Sequence, residues 1–233
     1  MDNILSNSDV VNFYIDSQEK ALAANSDKIY PNLSMVRVVG KYFDNRKGKL
    51  LDYGCGFGAN LIHLAKVGYH VTGADTSPHS KTSIEKKIKL INNISDRVEL
   101  ITINKEQPKL PFEDASFDYI VCASLLSLLS KKEIIINLLR EFHRIIKVQG
   151  KLFLDINGIN SEFAIYAKKL EKELYEYRGK DQNSDAMEVV CLESADNFKQ
   201  LVSSVFKVDE VGITSHRFFD YAEEEYIICA QKI

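Results

Sequence analysis

The sequence predicts an α/β fold, a doubly wound and mostly parallel sheet, on three observations. From residue 49 onward, apolar bursts of strand length alternate with segments whose apolar residues recur at helical spacing. Parallel strands covered by helices on both faces are written in this way. Three glycines, Gly54, Gly56 and Gly58, stand between the first burst and the first helical segment. The chain closes on two strand candidates, KVDEVGITSH and EEEYIICAQKI, whose short connection suits an antiparallel hairpin.

The elements follow in order. KLLDYG, residues 49 to 54, reads as the first strand, and ANLIHLAKVG as a helix that stops at Gly68, a C-terminal cap. HVTGAD is the second strand, and Ser77 with Pro78 opens a helix running through Ile84 and Ile88 to Ile91, with proline at an N1-like position. RVELITI, residues 97 to 103, is the third strand, and FDYIVCA, residues 117 to 123, the fourth, buried by its apolar content. A helix KKEIIINLLREFHRIIK ends at Gly150 before strand KLFLDIN, and a further helix spans about Asp196 to Val205. Residues 158 to 193 differ in character. They are polar, carry a helical stretch EFAIYAKKLEKELYEY, and read as a helical insertion or lid over the sheet edge. Residues 1 to 48 are expected to form a helical cap, with one helix through Val11, Tyr14 and Ile15 and a second, PNLSMVRVVGKYF, from Pro31. Residues 49 to 233 then make the main domain.

Composition narrows the class. The 233 residues are 45% hydrophobic and 27% charged, as in an average soluble globular domain, and are enough for one sizeable core. Thirty Lys and Arg against 33 Asp and Glu leave a net charge of −3, which argues against nucleic acid as a partner, because sequence-independent phosphate binding needs many cations. The first twenty residues lack a basic and an apolar leader region, and no run approaches 18 apolar residues. The four cysteines, Cys55, Cys122, Cys191 and Cys229, are scattered without zinc-ligand spacing. A cytoplasmic chain with reduced thiols, no metal and no membrane partner is expected.

The chemistry concentrates at LLDYGCGFGAN. Glycine permits positive φ and lets a ligand approach the backbone, and the helix that follows offers unpaired N–H groups at its positive dipole end. Asp75 ends the second strand 21 residues after Gly54, the spacing at which a carboxylate meets ribose hydroxyls in Rossmann-type sheets. GCGFGA also satisfies the dinucleotide fingerprint, so an NAD-dependent oxidoreductase stands as the alternative. Asp52 weighs against it, since that strand position is usually apolar in dehydrogenases.

Four segments in succession, DYGCGFG, GADTSP, LPFEDASFDYIVCASLL and LLREFHRIIKVQGKLFL, closely resemble the motifs of class I S-adenosylmethionine-dependent methyltransferases. The resemblance runs from Lys49 to Asn157 and resumes in the closing hairpin. It implies a Rossmann-like doubly wound seven-stranded sheet, mostly parallel with an antiparallel last strand, in the order 3-2-1-4-5-7-6. It also implies S-adenosyl-L-methionine as cofactor. Gly54, Cys55 and Gly56 would approach the methionine part, with Asp52 orienting the loop or the amino group; Asp75 would hold the ribose and Thr76 border the adenine. Glu106 and Gln107 stand where the family usually has Asp-Ala, and Glu106 keeps an acceptor there. Cys122 and Ala123 would offer carbonyls to the ammonium. Tyr14 of the cap, outside the resemblance, is expected to join the cofactor site as part of a mobile cover.

Where many relatives carry a histidine after the fourth strand, this chain has SLLSLLS. His63 and His143 read as structural, and His79 stands at the adenine end. His216 and Asp155, with Asn157 beside the latter, are the candidates for catalysis at the carboxyl edge, where ligands bind in such sheets. The sulfonium methyl is already electrophilic, so the protein must chiefly align the acceptor and exclude water. The expected reaction is methyl transfer to a small polar metabolite, a hydroxyl-bearing sugar or sugar-derived intermediate. A cofactor-binding partner subunit without turnover is the non-enzymatic alternative.

Overall fold

The computed structural model describes residues 30–44, 46–104, 109–179, 185–219 and 221–233. Tyr14, the expected first helix, and Glu106 and Gln107 lie outside the described residues. The elements are α1 (Leu33–Tyr42), β1 (Lys49–Tyr53), α2 (Ala59–Val67), β2 (His70–Asp75), α3 (Pro78–Lys89), β3 (Val98–Thr102), β4 (Phe117–Cys122), α4 (Lys132–Ile145) and β5 (Ile146–Asn157). There follow α5 (Glu162–Ile165), β6 (Lys168–Glu171), β7 (Leu174–Tyr177), β8 (Met187–Val190), α6 (Ala195–Ser203), β9 (Lys207–Phe218) and β10 (Tyr221–Gln231).

Seven strands form one sheet in the order β3-β2-β1-β4-β5-β10-β9, and β6-β7-β8 form a second, small one. The first five strands of the large sheet run parallel, while β10 is antiparallel to both β5 and β9. With β9 and β10 counted as sixth and seventh, this is the expected order. Each face carries its own core. Met35 and Val39 of α1, Leu61 and Leu64 of α2 and Ile84 of α3 pack on Leu50, Val121 and Phe153. Leu138 and Phe142 of α4 and Phe198 of α6 pack on Leu51, Ile120, Leu154 and Ile228. At fully buried positions each such side chain contributes roughly 1.5–3 kcal/mol.

The helix starts have local causes. Asn32, Ser77 and Ser194 cap α1, α3 and α6, each accepting a backbone N–H from the first turn, and Pro78 occupies the first turn of α3. Gly68 ends α2 at φ 128, as expected of that residue. Crossovers from β1 lead outward to β2 and β3, whereas β4 and β5 lie on its other side. The switch point therefore lies between the carboxyl ends of β1 and β4, where the crevice of such sheets binds ligands.

The structure corrects two expectations. Gly150 does not end the helix: α4 stops at Ile145, and Ile146 already pairs with Phe117. Gly150 lies inside β5 instead, at an irregularity after Gln149 (φ 64), where a β-carbon would meet the Asp118 and Lys147 carbonyls at 2.8 Å. The stretch EFAIYAKKLEKELYEY is not one helix either. It gives the four-residue α5, then β6 and β7 joined by a two-residue turn at Lys172 and Glu173, with β8 completing an antiparallel sheet. The alternation that decides this lies in LYEY and MEVV, where Tyr175, Tyr177, Met187 and Val189 are buried with Leu128 and Cys191. Tyrosine and valine fit a half-buried pleated surface, and the helix-forming lysines and glutamates of this stretch are mostly on its wet side.

Candidate functional site

The turn after β1 is strapped to the end of β2. Gly54, Gly56 and Gly58 take φ of 74, 50 and 81, a region other residues enter only at a cost. The N–H groups of Gly54 and Cys55 both donate to the Ala74 carbonyl, at 2.8 and 3.2 Å. Close packing adds a second demand for glycine. A β-carbon on Gly54 would lie 2.9 Å from Leu125 Cδ2, and one on Gly58 2.6 Å from Ile84 Cγ1. Cys55 is buried, its sulfur packed near Gly73, so this residue presents backbone, not thiol, to the crevice.

Two carboxylates flank the turn. Asp75 accepts from Gly56 N–H through Oδ2 and from Ser77 N–H through Oδ1, both at 2.8 Å. Burial raises its pKa, and these N–H groups, with Thr76 N–H and the Ser80 hydroxyl, oppose that rise. Asp52 is 1% exposed and its Oδ2 has no hydrogen-bond partner. Burial first, then the proximity of Asp75, pushes its pKa up to about 7, against a hydrogen bond from Leu61 N–H. A buried, unbonded carboxylate oxygen is costly, and such groups collect at functional sites.

The opposite wall is the segment after β4. Cys122 is fully buried and Ala123 nearly so. Ser124 then turns through φ 57, and a 3-10 turn, Leu126–Leu129, follows. Asp155 near the end of β5 is 1% exposed. Its Oδ1 accepts from Ser124 N–H at 2.6 Å and its Oδ2 from Asn32 Nδ2 at 3.2 Å. Beside it the Asn157 N–H donates to Ser127 Oγ at 2.9 Å. The structure thus gives Asp155 a structural use that its place in the sequence does not disclose.

The other sequence-predicted residues fall as follows. Asp52, Gly54, Cys55, Gly56, Asp75, Thr76 and Cys122 come together around the crevice through β1, β2 and β4. His216 is exposed on the edge strand β9, across from Glu223. Four strand spacings separate β9 from β1, roughly 19 Å at about 4.8 Å each. Burial lowers the pKa of both His63 and His143; the His143 ring packs beside Phe206, away from the crevice. Three residues were not anticipated as part of the site: Asn32, Asn60 and Ser124. Asn32 carried a signal, since asparagine directly before a helical apolar pattern is a preferred N-cap; nothing local marks the other two.

The insertion walls the crevice from the β5 side. Tyr175 and Val189 of its sheet pack against Leu128. Glu173, 1% exposed in the β6–β7 turn, binds Lys132 at the start of α4, the Asn197 amide at 2.6 Å and Glu193 N–H at 2.8 Å. Within the insertion Asn160 is held by Glu224, Ser161 by the Gly158 carbonyl and Arg178 by Glu176.

Residues 51–154 match the family model described as a methyltransferase domain. A Bacillus subtilis protein named "Putative methyltransferase YqeM" is 29% identical over 113 residues, which are 48% of this chain and 43% of that protein. The matched region thus spans less than half of that curated relative. Among solved structures, an S-adenosylmethionine-dependent methyltransferase from Methanosarcina mazei superposes with a TM-score of 0.71 at 22% identity, covering 84% of this chain and 97% of its own. Magnesium protoporphyrin IX methyltransferase from Synechocystis, solved with bound S-adenosylhomocysteine, gives 0.69 at 16% identity over 96% and 98% of the two chains. At these identities the two structures speak to the fold.

Proposed function

We propose that this chain, a class I S-adenosylmethionine-dependent methyltransferase by the domain it carries, methylates a small polar metabolite bound over the carboxyl edge of its sheet. The observation that carries the reading is the buried, unbonded Asp52 oxygen beside a preformed positive-φ turn at the switch point. That arrangement fits a cofactor with an amino-acid end and a nucleoside end. Asp52 would meet the ammonium, directly or through water, as Gly54 and Gly56 admit the methionine chain. Asp75, already oriented by Gly56 and Ser77, would take ribose hydroxyls in exchange for the Ser80 hydroxyl, with Thr76 toward the base. Cys122 and Ala123 would contribute backbone carbonyls. When bound, the cofactor supplies an electrophilic methyl group. The antiparallel β10 and Asp52 favour this reading over the nicotinamide alternative.

The acceptor's surroundings are those of the Leu126–Leu129 turn, Asn157 and the inner face of the insertion. Asn160, Ser161 and Arg178, polar groups of the insertion, are engaged by neighbouring groups. The sugar reading therefore rests on Asn157. Both oxygens of Asp155 accept hydrogen bonds, so catalysis by alignment and exclusion of water is preferred to general-base assistance. The decisive test is a screen of sugars, amines and hydroxylated metabolites, with RNA and DNA alongside, reading S-adenosylhomocysteine formation. Turnover with a small metabolite supports the proposal; turnover with nucleic acid alone refutes it.

A further inference from the structure

Asp155 joins three segments of chain that are far apart in sequence. Its Oδ1 takes the Ser124 N–H at 2.6 Å, a short charge-assisted bond that holds a residue in the left-handed region (φ 57), where serine sits at a cost. The next residue, Leu125, leaves room only for hydrogen at Gly54, so the carboxylate sets how closely the wall after β4 abuts the glycine turn. Its Oδ2 accepts from Asn32 Nδ2 at 3.2 Å. Asn32 in turn caps α1 by accepting Met35 N–H at 2.9 Å. The backbone N–H of Asn32 donates to Asn60 Oδ1 at 2.8 Å, and Asn60 lies in the first turn of α2, two residues after Gly58. Every donor in this series meets an acceptor, and only one arrangement of the Asn32 amide satisfies both its cap and Asp155.

We infer that Asn32 and Asp155 form a positioning pair that fixes the spacing between the glycine turn and the wall after β4, and thereby the geometry of the cofactor crevice. The inference deepens the methyltransferase reading and rests on it for its effect on cofactor affinity alone. Asp155 acts here through Ser124 and Leu125, and it neither touches the reacting atoms nor exchanges a proton with them.

The pairing can be tested by exchanging its partners. In Asp155→Asn the new amide N–H2 either faces Asn32 Nδ2, donor against donor, or turns to face the Ser124 N–H; one bond is lost in either case. Exchanging both residues, Asn32→Asp with Asp155→Asn, restores a donor–acceptor pair, keeps the net charge, and retains a good N-cap. The expected result is a roughly tenfold loss of S-adenosylhomocysteine affinity in Asp155→Asn, with most of it recovered in the exchanged pair. Wild-type affinity in the single variant, or equal impairment in both, would overturn the inference, the second outcome by showing that charge at position 155 matters and pairing does not. A readout that needs no cofactor separates this from the functional reading. The Ser124 amide proton should resonate far downfield in the wild type, move upfield in Asp155→Asn, and return part of the way in the exchanged pair, where an amide oxygen held by position 32 faces it in place of the carboxylate. If the wild type fails to bind S-adenosylhomocysteine, the methyltransferase reading falls while the amide series still decides the pairing.

Discussion

Asp52 carries the sharpest consequence of a single side chain. Its carboxyl is raised to about 7 in the folded protein, by burial first and Asp75 second, against about 3.9 in an unfolded chain. The folded state therefore holds its proton more tightly, so stability falls as pH rises from about 4 through 7 and is level above. Asp52→Asn removes the ionising group. Urea unfolding of the ligand-free variant should show its advantage over wild type larger at pH 8 than at pH 5, by about 2–3 kcal/mol. If the ionised form receives the cofactor's ammonium, wild-type affinity should climb as pH rises through 7, and the variant should lose that dependence in titration calorimetry. An advantage no larger at pH 8 than at pH 5 would contradict the burial of an uncompensated charge. Asp75 differs, being held by backbone donors. Asp75→Ala should cost cofactor affinity roughly ten- to a hundredfold, the worth of about 1.5–3 kcal/mol for a charge-assisted bond, and wild-type affinity by calorimetry would remove it from the ribose site.

At the scale of elements, the sheet, its helices and its closing hairpin were legible because each rests on a local signal: an N-cap, a terminal glycine, or an apolar period. The glycine turn was legible for the same reason. The insertion was not, since KKLEKELYEY has helix-forming composition and its strand character depends on distant contacts. Glu173 supplies one of them. It sits at φ 64 in the β6–β7 turn with its carboxylate buried. Burial pushes that carboxyl up, yet bonds from Glu193 N–H, Lys132 and Asn197 outweigh it and hold the pKa below the ordinary glutamate value. Because the folded pKa is depressed, this contribution is present above about pH 4.5 and is lost as pH falls through the folded value. Glu173→Ala should destabilise the protein by about 2 kcal/mol at pH 7, with Lys132 partly exposed and so screened. Glu173→Gly should recover part of the loss by relieving the left-handed backbone. Denaturation of the pair of variants at pH 7 and pH 4 checks both signs; equal stability of the two, or a cost independent of pH, would refute the role assigned to the turn. The Asn32–Asp155 contact was illegible for a related reason, because 123 residues separate the partners and only the fold brings them together.

For the whole molecule the two halves of the chain's interior predict how a ligand redistributes stability. The crevice lies between β1, β2 and the segment after β4, and the insertion is fixed behind it by the Tyr175–Leu128 packing and the Glu173 contacts. On these contacts the insertion is expected to act as a wall, where its polar sequence suggested a lid. S-adenosylhomocysteine at a hundred times its dissociation constant should stabilise the native state by about 2.7 kcal/mol, a shift of roughly 5–10 °C in melting temperature for a chain of this length, and NAD at the same concentration should leave it unchanged. A shift with NAD alone would return the chain to the oxidoreductase alternative. Hydrogen exchange then locates the gain. Local opening varies across a structure with the contacts that oppose it, so protection should rise at Gly54 to Gly58 and from Ser124 to Leu129, where ligand atoms replace water. The amides of β7 and β8, already paired and packed on a buried aromatic cluster, should exchange at the same rate with and without ligand. Slowing of those strands on binding would mean that the insertion closes over the site, and that its contacts to α4 and α6 are made and broken during turnover.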